Sequence, residues 1–336
     1  MDNKIIDNLK CYIDLHLHLD GSLPLSTVKK LIKLNGMEEL SDLELNELLA
    51  CSNDNHDLNE YLKKFEFPLS LLQTKDSIKL AVKDLLDNLY NDGLIYAEIR
   101  FAPQLHLTKS LTQDMVVEAA IEGLKESKLK SNLILCLMRG NDNYKLNKDT
   151  IDVANHYLGN GVCAIDLAGA EGLYPTASFK DLFLYASSLN IPFTIHAGEA
   201  DSYKSVNDAI AFGAKRIGHG IHSLDSFDTI NMLKSNNICL ELCPKSNIDT
   251  KAVDSIINYP FKRLKDYGIK ITLNTDDMTV SNTNIRNEYK LINSIYDLTN
   301  DDVLWLLNNS VDYAFISNKE KEELKEIINK EFKNIA

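Results

Sequence analysis

The chain has no apolar run approaching the ~18 residues that a membrane-crossing helix requires, so a helical span is not expected. Residues 1–10 alternate charge with short apolar stretches and contain no apolar signal core, so no targeting segment is expected either. A basic excess is missing too: 36 Lys and Arg stand against 49 Asp and Glu, a net charge of −13. Nucleic acids and anionic membranes are bound through basic faces, which argues against both as partners. Cysteine is sparse. Cys11, Cys51, Cys136, Cys163, Cys239 and Cys243 lack the density of a secreted disulfide framework, and the 239/243 pair has no second pair to complete a zinc finger. Five of them fall in or beside strand-like runs, as reduced buried thiols do, and a cytoplasmic location is the expectation. No internal repeat, low-complexity tract or Pro/Gly-rich linker interrupts the chain, so residues 1–336 are read as one domain.

What is present is a globular balance of 44% hydrophobic and 25% charged residues, enough for a sizeable core. Eight β-rich runs recur, at 12–18, 95–101, 133–138, 162–168, 192–196, 216–219, 238–243 and 270–275. Helix-like stretches lie between them. Asp76 is placed to cap a helix that Gly93 closes; Pro24 suits a first helical turn, with Gly36 past its end. Strand–helix alternation over the whole chain predicts an α/β fold with a parallel sheet, and eight units predict closure into a (β/α)8 TIM barrel. The interval between the first two runs is long enough for three or four helices, and residues 21–92 are read as a helical insertion over the top of the barrel. Beyond the eighth run, residues 319–333 space Glu and Lys three or four apart, the pattern of an extra solvated helix.

Strand parity sorts side chains onto two faces. In the first run Ile13, Leu15, Leu17 and Leu19 share one face, and Asp14, His16 and His18 the other. The same split separates Ile99 and Phe101 from Glu98 and Arg100, Ile165 and Leu167 from Asp166, Phe193 and Ile195 from Thr194 and His196, and Leu240 and Leu242 from Glu241. In the eighth run Ile271 and Leu273 oppose Thr272 and Asn274, with Asp276 continuing the polar set. The apolar face packs on outer helices, which leaves polar groups inside. That is costly unless they are paired or hold a metal. For Glu98, Arg100 and Glu241 the expectation is buried ion pairs. Histidines at strand C-terminal ends call for another account, because those ends form the active-site face of this architecture.

His16 and His18 set two imidazoles on one strand face, near enough to share an ion. Alone, a His-x-His pair is more often an ordinary core feature. His196 at the end of the fifth run and Asp276 at the end of the eighth change that weighting. Three nitrogens and one oxygen make a donor set that suits zinc. Glu199, three residues past His196, would lean over the pocket without ligating, although a helix-start glutamate is the bland alternative. His219, between Gly218 and Gly220, taken alone reads as a satisfied core histidine. His56, His106, His156 and His222 are given no role. Asp276 and Asp277 are adjacent like charges, and parity aims them apart, so the backbone must twist at the strand end for both to reach one pocket.

Together these elements resemble the adenosine deaminase family of the amidohydrolase superfamily. The matching motifs are LHLHLDGS (15–22), YAEIRFAP (96–103), DLAG (166–169), HAGE (196–199), RIGHG (216–220), CPKSN (243–247) and TDD (275–277), in family order. The resemblance covers roughly residues 8–330. It implies that His16, His18, His196 and Asp276 bind one zinc ion per subunit and that Glu199 is the proton donor. It implies that His219 assists the activated water, with Asp276 and Asp277 completing the catalytic set. It further implies that Asp277 and the Gly169 backbone recognise a purine, that Asp20 recognises the ribose, and that His18 lies against the substrate. Tyr61, Leu62 and Phe65 resemble the apolar helix that covers the substrate in relatives. One departure is that Met278 follows Asp-Asp where proline is common.

The expected reaction is hydrolytic deamination of adenosine and 2′-deoxyadenosine to inosine or deoxyinosine and ammonia, in purine salvage. Alternatives are a deaminase of adenine or N6-modified AMP, another mononuclear amidohydrolase, or a non-catalytic nucleoside-binding barrel. The carboxylate of Asp20 suits a 5′-hydroxyl and would repel a phosphate. Cytidine-type zinc chemistry needs H-x-E and P-C-x-x-C, and the chain has neither. The fourth run ends without a lysine to bridge two metals. Oligomeric state and the choice among zinc, iron and cobalt are not encoded in any motif found.

Overall fold

The computed structural model describes residues 4–52 and 54–335. Its strands are β1 (Tyr12–His18), β2 (Leu94–Phe101), β3 (Lys130–Met138), β4 (Val162–Ala168), β5 (Thr194–Ala197), β6 (Arg216–His219), β7 (Cys239–Leu242) and β8 (Lys270–Leu273). All neighbours pair in parallel, in the orders β1-β2-β3-β4 and β5-β6-β7-β8. Two narrow seams join these halves. Ile165 of β4 bridges to Phe193 just before β5, and Leu17 of β1 bridges to Asp276 just beyond β8. The eight strands thereby form the (β/α)8 barrel that the sequence predicts. The limits differ in detail: β5 begins at Thr194 rather than at Pro192, whose ring nitrogen has no hydrogen to donate to a ladder.

Parity holds. Ile13, Leu15, Leu17, Ile99, Ile165, Ile195, Leu240 and Ile271 join the apolar core between barrel and helices. Full burial of such a side chain is worth about 1.5–3 kcal/mol, so this layer carries the stability. Inside the barrel the polar residues of the opposite face bond to one another. Arg100 donates to Asp166 Oδ2 at 3.1 Å and to Glu241 Oε2 at 2.9 Å. Arg216 donates to Glu241 Oε1 at 2.5 Å and pairs with Glu98 Oε2 at 2.6 Å. All five are fully buried. Against the penalty of burial, Arg100 and Arg216 hold the Glu241 carboxyl well below its ordinary range. The ion pairs expected for Glu98, Arg100 and Glu241 are present, with Arg216 and Asp166 as additional members.

Among the described residues, five α-helices rather than three or four lie between β1 and β2: Leu25–Leu34, Asp42–Leu49, Leu58–Leu62, Glu66–Leu71 and Lys75–Asn91. The last packs along helix Gln113–Glu126 as part of the outer ring, so only the first four form the insertion. Its cap is Thr74, whose hydroxyl accepts the Ser77 N–H at 3.2 Å, and not Asp76. Asp76 stands inside the first turn, where its charge complements the helix dipole. Pro24 occupies the cap position of Leu25–Leu34, one residue outside the first turn expected for it. After β8 come helices Ile285–Tyr296, Asn300–Tyr313 and Asn318–Ile335; the last buries Leu324 and Ile328 and turns its charged face outward. The six cysteines are free. Among the described residues no helix is long and apolar enough to cross a membrane.

Candidate active site

The ends of β1, β5, β6 and β8 meet at one point above the ion-pair network. β1 delivers His16 and His18 from alternate positions, β5 delivers His196, and Asp276 follows β8. One ligand atom from each of the four lies within 4.8 Å of the others. His16 Nε2 and His18 Nε2 stand 3.2 and 3.3 Å from Asp276 Oδ1, and His18 Nε2 is 3.2 Å from His196 Nε2.

Their proton positions follow from what lies behind them. His16 Nδ1 is 2.7 Å from Glu241 Oε2, and His196 Nδ1 is 2.8 Å from Asp166 Oδ2. Both carboxylates are already held by Arg100. A proton on each Nδ1 satisfies these contacts and leaves each Nε2 with a bare lone pair, that of His16 against Asp276 Oδ1 and that of His196 against His18 Nε2. His16 Nε2 is buried and has no hydrogen-bond partner. Acceptors facing acceptors at 3.2 Å repel one another unless a cation lies among them. Three imidazole nitrogens and one carboxylate oxygen fit a divalent ion of borderline hardness.

The twist required at Asp276 is present. Its φ is +61°, in the left-handed region, and its N–H and C=O bond to His16 O and His18 N on β1 at 2.8 and 2.7 Å. That conformation costs about 1 kcal/mol for a non-glycine residue and turns Asp277 into the same pocket. Tyr61 donates to Asp277 Oδ2 at 3.1 Å, while Oδ1 has no partner. A Cβ on Gly21 would meet that Oδ1 at 1.9 Å, so only glycine fits there. Met278 keeps the N–H that a proline would lack and donates it to Ser22 Oγ at 3.1 Å, tying this loop to the turn after β1.

Glu199 sits over the cluster on a turn opened by Gly198 (φ +70°). The turn is clamped from below by Glu171, whose carboxylate accepts the N–H groups of Gly198, Glu199, Ala200 and Asp201 at 2.7–3.2 Å and the Ser205 hydroxyl at 2.6 Å. The Glu199 side chain accepts from Thr250 Oγ1 at 3.1 Å and Asn247 Nδ2 at 3.3 Å, and its other oxygen is 3.5 Å from His219 Nε2. Burial, then the negative charges of Asp276 and Glu171, push its carboxyl up to about 8. It is therefore a proton carrier at neutral pH. His219, also left-handed at φ +60°, ends β6 beneath it.

A cavity of about 240 Å³ opens from this cluster. Its walls are largely apolar, with Leu58, Tyr61, Leu62 and Phe65 of the insertion on one side and Phe101, Leu105 and Met138 on another. Gly169 (φ +105°) lines it, as do His18, Asp20, His196, Glu199, His219, Asp276 and Asp277. Asp20 is buried, with Oδ1 unpartnered and 3.6 Å from His106 Nε2. Arg139 is the one lysine or arginine among the described lining residues, and its terminal nitrogens donate to Tyr174 O, Thr176 Oγ1 and His196 O at 2.6–2.9 Å.

Each site residue that the resemblance implies thus lines one pocket, except His16, which belongs to the four-residue cluster beside it. His56 and His222 stand in an adjoining open recess, and His156 is exposed. Sequence reasoning missed Glu171, Arg139 and Thr250, and gave no role to Asn247, although it closes the CPKSN motif, or to His106 beside Asp20. Glu171 carried one usable signal, a carboxyl two residues past the strand-ending Gly169.

The chain matches known proteins along nearly all of its length. The adenosine deaminase family model matches residues 11–331. An adenosine deaminase of Haemophilus ducreyi is 47% identical over 322 residues, covering 93% of this chain and 94% of its own length. Among solved structures, an Arabidopsis N6-mAMP deaminase superposes with a TM-score of 0.86 at 25% identity, over 97% of this chain and 99% of its own. An adenine deaminase from Arthrobacter aurescens shares the fold, with a TM-score of 0.84 at 23% identity over 96% and 98%. A buried carboxyl poised over clustered imidazoles, on a chain related to these enzymes along nearly all its length, makes this protein a deaminase-type hydrolase of the adenosine deaminase family.

Proposed function

We propose that this chain is one barrel domain that hydrolyses adenosine, and 2′-deoxyadenosine, to the 6-oxo nucleoside and ammonia, with one zinc ion per subunit. The observation that carries the reading is the pairing of a buried, proton-bearing Glu199 with the acceptor cluster of His16, His18, His196 and Asp276 across one nucleoside-sized cavity. Those four residues would hold the ion. When bound, zinc supplies the Lewis acidity that makes water nucleophilic near neutral pH.

The chain's own groups do the rest. Glu199 donates its proton to N1 of the purine, which draws electron density from C6. His219 hydrogen-bonds the incoming water and aims it at that carbon, and Asp276 accepts a proton beside it. Asp277, with Oδ1 free, and the Gly169 backbone hold the imidazole edge of the base. The apolar wall of Leu58, Leu62 and Phe65 excludes bulk water over the reacting face, with His18 beside it. Departure of ammonia and retention of the water oxygen at C6 complete the exchange.

Substrate choice follows from the other end of the cavity. Asp20 offers an acceptor to a 5′-hydroxyl, and the one cationic side chain of the wall is committed to backbone and Thr176. A 5′-phosphate would meet the Asp20 carboxylate, which disfavours N6-modified AMP. Adenine would leave Asp20 unpartnered. Free, mostly buried thiols fit a cytoplasmic enzyme.

The test is turnover on adenosine, 2′-deoxyadenosine, adenine and AMP, followed by loss of ultraviolet absorbance with and without prior chelation. Adenosine and its deoxy form are expected to be consumed, and chelation to stop the reaction until zinc is restored. Ammonia from AMP or adenine alone would shift the reading to those relatives. Tight binding of adenosine with no ammonia would leave a non-catalytic nucleoside barrel.

A further inference from the structure

We propose that Asn247 is a positioning residue that sets where the protons of Glu199 and His219 lie. This presupposes the roles proposed above for those two side chains. Asn247 begins far from both in sequence, on the short helix Pro244–Asp249 after β7, and is fully buried. Its amide touches three groups. Nδ2 lies 3.0 Å from His219 Nδ1 and 3.3 Å from Glu199 Oε1, while Oδ1 accepts the Tyr259 hydroxyl at 3.0 Å.

The Tyr259 contact orients the amide. A phenol donates well to an amide oxygen, which turns Nδ2 and its two hydrogens toward the site. One hydrogen can bond His219 Nδ1 only if that nitrogen is bare, so the imidazole proton must be on Nε2. The other meets Glu199 Oε1, which also accepts the Thr250 hydroxyl. With Oε1 taken by two donors, the carboxyl proton is left to Oε2. Oε2 and His219 Nε2 are 3.5 Å apart, too far to bond each other, so both hydrogens remain available to whatever fills the cavity. His219 therefore meets the attacking water as a donor that orients it, and Glu199 delivers its proton from one defined oxygen. A single neutral side chain ties the two settings together.

The experiment reads the proton directly. In zinc-loaded wild-type protein with 15N-labelled histidine, the His219 resonances, identified by their absence from His219→Asn, are expected to show a protonated Nε2 and a bare Nδ1. A protonated Nδ1 overturns the proposal, and this measurement needs no variant at 247. Asn247→Asp places an acceptor against His219 Nδ1 and Glu199 Oε1. It is expected to move the histidine proton to Nδ1 and to lower kcat about 100-fold, the scale of a misaligned reacting group. KM should stay within about three-fold and zinc content should not change, since the loss falls on the transition state. An unmoved proton or unchanged kcat overturns the proposal. Full turnover in Asn247→Asp beside an inactive Glu199→Gln removes only Asn247, whereas full turnover in Glu199→Gln removes the function proposed for Glu199 itself.

Discussion

The barrel interior and the rim above it are equally crowded with buried ionisable groups, yet they are satisfied in opposite ways. Below, two arginines and three acids pair through direct bonds of 2.5–3.1 Å. Above, His16 Nε2, Asp20 Oδ1 and Asp277 Oδ1 are buried without hydrogen-bond partners, and Glu199 carries a proton it would not hold in water. The lower cluster spends its charges on internal ion pairs, although Arg100 Nε is left without a hydrogen-bond partner. The upper one is built for something to be added. The two also touch: Glu241 and Asp166 serve the arginines on one side and orient His16 and His196 on the other. Access to a cavity, more than polarity, separates the upper layer from the supporting one.

Changing each layer in turn tests that distinction. The largest effect is expected from Glu199→Gln in the upper layer: metal content and fold stay, and kcat falls about 10³-fold, within the usual span for a general acid. Kinetics paired with elemental analysis checks it, and a lost metal would mean the layers are not separable. In the lower layer, Glu241→Gln leaves two buried arginines short of an anion and weakens the hold on His16 Nδ1. A loss of about 3–5 kcal/mol in unfolding free energy is expected. Metal affinity should drop by about 10- to 100-fold. Denaturant titration and metal competition read these two separately.

A milder perturbation is pH. The Glu199 carboxyl is raised to about 8, so it is protonated below that value and ionised above it. Activity should therefore hold through neutrality and decline as pH rises past about 8, near ten-fold per unit once the proton is mostly lost. A kcat profile flat to strongly alkaline pH would remove Glu199 as the donor. The smallest effect lies outside both layers. Thr74→Ala removes the cap of Lys75–Asn91 and should cost about 1 kcal/mol of stability while leaving kcat untouched. A catalytic defect there would mean that the outer ring is coupled to the site.

Much of the lower layer was legible in the sequence because strand parity is a local property. Glu98, Arg100 and Glu241 fall on the inner face by counting alone. The clustered residues His16, His18, His196 and Asp276 were legible for the same reason, each standing in or just after a strand. What escaped was long-range and made by loops. Glu171 acts on backbone 27–30 residues away, and Asn247 joins His219 and Glu199 across 28 and 48 positions. No periodicity marks such residues. The cap at Thr74 was misplaced because Thr74 and Asp76 are both good caps and stand two apart. The left-handed turn at Asp276 was demanded by the Asp-Asp pair, but only the coordinates supply it.

The bond pattern at Asp276 has a consequence for the order of assembly. This residue hydrogen-bonds on both sides to β1, so the last strand docks against the first through one of the very groups that face the imidazoles. During synthesis the first two imidazoles emerge early, but they have no carboxylate partner until residue 276 has left the ribosome. A truncated or stalled product ending before that point retains three nitrogens at most and a slit down one side. Closure of the cylinder and completion of the four-residue cluster thus depend on one residue, Asp276.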